Sequence, residues 1–159
     1  DALTELYNRE TIESQIDNEI TLSEARKSEM AVLFIDVDDF KHYNDQYSHA
    51  TGDQVLKFVA RTIKGAVNEF GFAGRYGGDE FIACVRNAEI NDPTRVAQDI
   101  ISKLDEGFEC DGVHLTVSVS IGISMIKDDY NTRVEYIIGK ADDAMYSVKK
   151  NGKSNYAFI

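Results

Sequence analysis

Proline occurs once in this chain of 159 residues and cysteine twice, and no apolar run is long enough to cross a bilayer. The lone Pro93 follows Asp92 in the arrangement of a helix start. No internal repeat, low-complexity tract or Gly/Ser-rich linker divides the chain, and one domain spanning residues 1–159 is expected. Cys84 lies in an apolar run and Cys110 in a polar segment, which excludes a disulfide framework or metal-binding spacing and suits a reduced, cytoplasmic setting. Basic residues are scarce: 17 Lys and Arg against 28 Asp and Glu give a formal charge of −11. That balance argues against nucleic acid or an anionic membrane surface as a partner of this segment. Asp1 to Glu5 are neither basic nor apolar, so they do not read as a signal peptide. The chain starts at Asp1 rather than Met, so the expectation is a piece excised from a longer signalling protein, itself cytoplasmic or membrane-anchored with this part in the cytoplasm.

Apolar residues make up 43% of the chain, enough for one sizeable core. Ile12, Ile16 and Ile20 mark a helix after Asn8, and Ala31 to Ile35 read as a buried strand ending at Asp36. Val55, Val59, Ile63, Ala66 and Phe70 follow helical spacing, as do Val96, Ile100 and Leu104. Gly77-Gly78 signals a tight hairpin leading into the strand Phe81 to Val85. Apolar residues alternate from Val113 to Ile123, which predicts one long strand. Thr132 and Glu135 have capping-box spacing before a last helix carrying Val134, Ile138, Ala141, Met145 and Val148. Tyr156 to Ile159 suit a short edge strand. The expected fold is α+β, with helices wrapped around a mixed or antiparallel sheet.

Asp36, Asp38 and Asp39 follow directly on a buried strand, where carboxylates are costly unless they reach solvent or a cation. Alternation places Asp36 and Asp38 on one side, and Asp79 and Glu80 stand similarly before the second apolar strand. If the two strands are neighbours, the acids converge into a site for hard cations suited to phosphoryl transfer. Taken singly, each acid reads equally well as a solvated cap. Gly77 and Gly78 would let backbone approach a ligand, with positive φ available, or simply form a turn. Asn44, Asp45 and Asp53 suit the donor edge of guanine, while Asp53 after Gly52 also suits a helix N-cap. Lys41, Lys149 and Lys153 are candidate phosphate partners or plain surface lysines. His49 reads as a structural hydrogen-bonding residue, and no nucleophile–base arrangement competes with the acids.

Six blocks in order resemble the GGDEF family of diguanylate cyclases: Asp1 to Arg9, Phe34 to Asp45, His49 to Asp53, Arg75 to Phe81, Val117 to Gly122 and Ala141 to Tyr146. The resemblance spans essentially the whole chain. It implies a fold similar to class III nucleotidyl cyclases and polymerase palms, with a sheet of roughly five strands. It also implies condensation of two GTP into cyclic di-GMP and two pyrophosphates, across a homodimer of two such domains and under an upstream sensory domain. Mg²⁺ or Mn²⁺, two ions per active site, would be held by Asp36, Asp79, the Val37 carbonyl and Glu80. Asp79, Glu80 and Lys41 would be catalytic; Asn44 and Asp53 would read guanine beside Leu56; Gly77, Gly78, Lys149 and Lys153 would complete the nucleotide site. Three positions depart from the pattern: Glu5 and Ser48 replace usual glycines, and Lys153 a common arginine. At the family's usual product-inhibition site, where Arg-x-x-Asp is expected, stand Asn68, Glu69, Phe70 and Gly71. The competing readings are a catalytically silent domain that binds GTP and regulates an attached phosphodiesterase, and a cyclase for mixed dinucleotides. Retention of the whole signature argues against the first and the intact Asp53 against the second.

Overall fold

The computed structural model describes residues 1–159, and its centre is a strand buried from Met30 to Ile35. Strand β1 (Met30–Val37) is buried along almost its whole length, because antiparallel neighbours flank it and helices cover both faces. That double burial explains an unbroken apolar run in place of alternation. Its neighbours are β3 (Glu80–Arg86) and β6 (Val119–Ile126); β2 (Gly71–Arg75) and a parallel β7 (Tyr156–Phe158) form the edges of the five-stranded sheet. Between β3 and β6, β4 (Phe108–Cys110) and β5 (Val113–Leu115) form a separate two-stranded ribbon.

One face of the sheet packs Leu33, Ile35, Phe81 and Ile121 against helices α3 (His49–Val67) and α4 (Pro93–Glu106). The opposite face packs Val32, Phe34 and Ile82 against α1 (Arg9–Arg26) and α5 (Val134–Lys150). A short helix α2 (Phe40–Gln46) follows β1 and buries no residue. The helix starts follow their chemistry: the Asn8 side chain accepts from the Thr11 amide, and Asp92 accepts from Thr94 ahead of Pro93. No helix is long and apolar enough to cross a membrane.

Several expectations need correction. The alternating stretch from Val113 to Ile123 is not one strand: it breaks at residues 116–118, between β5 and β6. There the backbone finds partners outside any ladder: Val117 donates to the Leu104 carbonyl at 2.9 Å, and Thr116 accepts from the Tyr43 hydroxyl at 2.7 Å. The capping box does not form, since α5 starts after Arg133 without a side-chain cap, and the buried Thr132 hydroxyl oxygen has no partner. Thr132 thus lies one residue too early for a box with Glu135. Phe70 falls outside α3, in a single 3₁₀ turn (Asn68–Phe70). Asp53 is no N-cap: Ser48 caps α3, accepting from the Thr51 amide at 3.1 Å.

Candidate active site

The antiparallel register of β1 and β3 sets Asp36 directly across from Glu80, and the Val37 amide donates to the Asp79 carbonyl at 3.1 Å. The expected convergence of acids therefore occurs, at the end of the central strand. Buried Oδ1 of Asp36 has no hydrogen-bond partner, while Oδ2 lies 3.5 Å from Lys149 Nζ. Burial pushes the Asp36 carboxyl up to about 7, with the charge of Asp79 adding to it. Glu80 is also raised, by burial first and then by Asp142 and Asp79.

Asp79 and Gly78 form one wall of a 350 Å³ cleft whose other residues include Lys41, Asn44, Asp53 and Leu56. Asn44 comes from α2 and Asp53 from α3, and neither side chain is tied up by another protein group. Leu56 is 3% exposed and offers an apolar floor. His49, expected to hold a structural hydrogen bond, is instead exposed and lines the same cleft. Asp45 is exposed and is not among the cleft residues.

The glycines of the turn do not use the left-handed backbone open to them. Neither Gly77 nor Gly78 has a positive φ. A Cβ on Gly77 would sit 2.3 Å from Glu80 Oε1, so the missing side chain makes room for that carboxylate. At Gly78 a Cβ would meet nothing, which leaves the backbone open to a ligand in the cleft.

The model of the family "Diguanylate cyclase, GGDEF domain" matches residues 1–155. The chain belongs to the GGDEF family. It is 34% identical over its full length to the bifunctional diguanylate cyclase/cyclic di-GMP phosphodiesterase MucR of Pseudomonas aeruginosa, of which it covers 23%. It is 35% identical over 97% of its length to the diguanylate cyclase DosC of Escherichia coli, covering 34% of that protein. This GGDEF domain thus spans about a quarter to a third of these curated relatives. Among solved structures it superposes on the isolated GGDEF domain of YfiN (TpbB) from Pseudomonas aeruginosa with a TM-score of 0.92, at 32% identity, covering 99% of this chain and 92% of that one.

The family requires a divalent metal in general, and the residues present suit one. No three acidic, imidazole or thiolate side chains lie close enough to enclose a cation by themselves. Two carboxylates, one with an unpartnered buried oxygen, nevertheless match a small hard ion that keeps its remaining positions for water and phosphate.

Lys149 is placed otherwise than expected of a phosphate partner. Its ammonium lies 2.8 Å from Asp38 Oδ1 and 3.4 Å from the Val37 carbonyl, behind the acids of the GGDEF site. Lys153 pairs with Asp39 at 2.9 Å, and neither lysine lines the cleft. Lys41 lines it and forms no ion pair. The departures at Glu5 and Lys153 both fall on left-handed backbone, with φ of 63° and 64°, which explains why glycine is usual at the former. The departure at Ser48 supplies the α3 cap.

Two residues that carry no assigned role in the sequence reading belong to this GGDEF site. Asp142 on α5 stands beside Glu80, and its own carboxyl is raised by burial and by Asp143. Arg75 donates to the Gly78 carbonyl from Nε at 3.2 Å and Nη2 at 2.8 Å, bracing the hairpin, and pairs with Asp1 at 3.4 Å. Both stand inside the quoted blocks, but an isolated acid on a helix or arginine before a turn gives no signal of its own.

Asp38 is a structural acid. Only 4% exposed, it accepts from Lys149, Ser118, Ser120 at 2.7 Å and the Ser154 amide at 3.1 Å. Burial works to raise its carboxyl, but these bonds outweigh it and hold the group below its ordinary value of 3.8. Asp38→Asn is expected to cost about 2–3 kcal/mol at pH 7, because Lys149 loses the nearer of its two carboxylates. A depressed folded pKa stabilises above the unfolded value and is lost as pH falls through the folded one. The deficit of the variant should therefore shrink below about pH 3.8, and urea titrations at pH 7 and pH 3 check both points.

Proposed function

We propose that this domain is a diguanylate cyclase, acting as a homodimer in which each copy holds one GTP facing the other. The observation that carries this reading is the pairing, in and beside one cleft, of the unpartnered Asp36 oxygen and Asp79 with the free side chains of Asn44 and Asp53. Asn44 and Asp53 accept from guanine N1–H and N2–H₂ over Leu56. Lys41 and the open backbone at Gly78 meet the phosphates. That leaves the 3′-hydroxyl of one nucleotide to attack the α-phosphate of the other: a P–O bond forms, the bond to the bridging oxygen breaks, and pyrophosphate leaves. Repeated symmetrically, this closes the ring. Glu80, facing Asp36 across β1 and β3, takes the hydroxyl proton on an oxygen not engaged by metal. Two Mg²⁺ or Mn²⁺ ions, held by Asp36, Asp79, the Val37 carbonyl and Glu80, would supply neutralisation of the charge that develops on the phosphoryl oxygens.

The reaction draws on cytoplasmic GTP, and the two free cysteines suit that compartment. An upstream sensory domain would control how often two copies meet. Incubation at high protein concentration with GTP and Mg²⁺, followed by chromatography, should show cyclic di-GMP and two equivalents of pyrophosphate. Tight GTP binding with no product, even when the domain is fused to a dimerising coiled coil, would identify a silent regulatory domain instead.

Product feedback is expected to be weak. Asn68 and Gly71 stand where the family's inhibitory Arg and Asp would be, beside a separate 270 Å³ cleft whose lining has one cation, Lys64. With neither guanidinium nor carboxylate at those two positions, a dianionic dinucleotide gains no bidentate grip. Calorimetric titration of cyclic di-GMP into Asp79→Ala should give no sub-micromolar binding; such binding would reveal an inhibitory site elsewhere.

A further inference from the structure

A helix interior disfavours glycine by roughly 0.5–1 kcal/mol relative to alanine, so a buried glycine there needs a reason. Gly52 lies within the first turns of α3, is buried, and does not have a positive φ. Its amide makes the ordinary helical bond to the Ser48 carbonyl at 3.0 Å. Backbone conformation therefore gives no reason for glycine at this position.

Space does. A Cβ built on Gly52 would lie 1.9 Å from Asn44 Oδ1, 3.0 Å from Asn44 Cγ and 3.3 Å from Phe40 Cζ. No side chain can hold the first of those separations, so any residue larger than glycine turns the Asn44 amide out of its present position. Asn44 is half-buried between α2 and α3 and has no hydrogen bond of its own to fix it. The notch left by Gly52 is then the main feature that sets where its carbonyl oxygen points.

We infer that Gly52 is a specificity-determining positioning residue: its missing side chain seats the Asn44 amide against α3 so that it can read the base. The inference rests on the reading of Asn44 as a guanine contact given above. Gly52 touches no substrate itself; it acts only through Asn44.

Equilibrium binding of the α,β-methylene analogues of GTP and ATP, which cannot undergo transfer at the α-phosphate, separates the possibilities in a double-mutant cycle. Gly52→Ala should lower affinity for the GTP analogue about tenfold or more, as expected for a lost hydrogen bond at a buried edge, and leave the ATP analogue unchanged. Asn44→Ala should do the same. Combining the two should add little, because the two nearest atoms, both of Asn44, are gone and Phe40 Cζ at 3.3 Å has only to give by a few tenths of an ångström.

A full effect of Gly52→Ala in the Asn44→Ala background would overturn the inference, as it would act through something else. A normal GTP preference in Gly52→Ala, with preference lost in Asn44→Ala, would overturn it while keeping Asn44 as a guanine reader. Unchanged preference in Asn44→Ala would remove the reading of Asn44 and this inference with it. Should Gly52→Ala fail to fold, circular dichroism of the double variant decides: recovery of the fold supports a collision with Asn44, and continued unfolding refutes it.

Discussion

Asp36→Ala and Asp79→Ala are each expected to reduce cyclic di-GMP formation by about 1000-fold or more, since a lost anionic metal ligand costs several kcal/mol of transition-state stabilisation. The fold should survive both changes, and in the metal-free protein Asp36→Ala should raise Tm. The reason lies in the sign of the shift. Burial and Asp79 push the Asp36 carboxyl from 3.8 to about 7. A carboxyl raised on folding stabilises below its unfolded value, and that contribution is lost as pH rises through the folded one. At pH 7 and above, the buried charge therefore works against the fold until a cation meets it. Thermal melts with and without Mg²⁺ separate binding from turnover, because the ion should stabilise the parent domain and not the variants. Undiminished product from both variants would remove these acids from the reaction.

Gly122→Ala should produce the largest loss of stability. Gly122 lies on β6 where α5 crosses it, and an added Cβ would approach the Ala141 carbonyl oxygen to 1.9 Å and the Met145 amide nitrogen to 2.3 Å. Both are backbone atoms, so no rotamer change can relieve the contact, and α5 must lift from the sheet. Overpacking against rigid backbone is expected to cost about 3–5 kcal/mol. Lifting α5 also withdraws Lys149 from Asp38 and Asp142 from Glu80, so activity should fall with stability. Urea denaturation monitored by circular dichroism checks the first effect; a loss below about 1 kcal/mol would show that α5 adjusts freely.

Much of this architecture could be read in the sequence because burial writes itself into residue type. The Ala31 to Ile35 run, the isoleucines of α1 and the Gly77-Gly78 turn each fix an element, and the acids flanking them fix the site. What was not legible was where alternation stops. Val113 to Ile123 alternates throughout, yet the strand breaks at residues 116–118, where Thr116 and Val117 bond to Tyr43 and Leu104 and the Ser118 carbonyl accepts from the Asp38 amide, 80 residues away, at 2.8 Å. The same distance hid the position of Lys149, whose partner depends on α5 lying over β1. Gly77 suggested turn geometry and Gly52 suggested nothing by itself, whereas the structure leaves volume vacant at both, beside Glu80 and Asn44.

The cleft and the acids beside it belong to parts of the molecule with very different resistance to local opening. Asp36 rides on a strand bonded on both sides and covered on both faces, whereas Asn44 rides on a seven-residue helix that buries nothing. Amide exchange through β1 should require global unfolding, while α2 should exchange through brief opening of its own. The end carrying Asn44 can thus yield while the carboxylates stay in register. On the proposed reading, a rigid anvil with a yielding jaw would let a domain release product without dismantling its carboxylates.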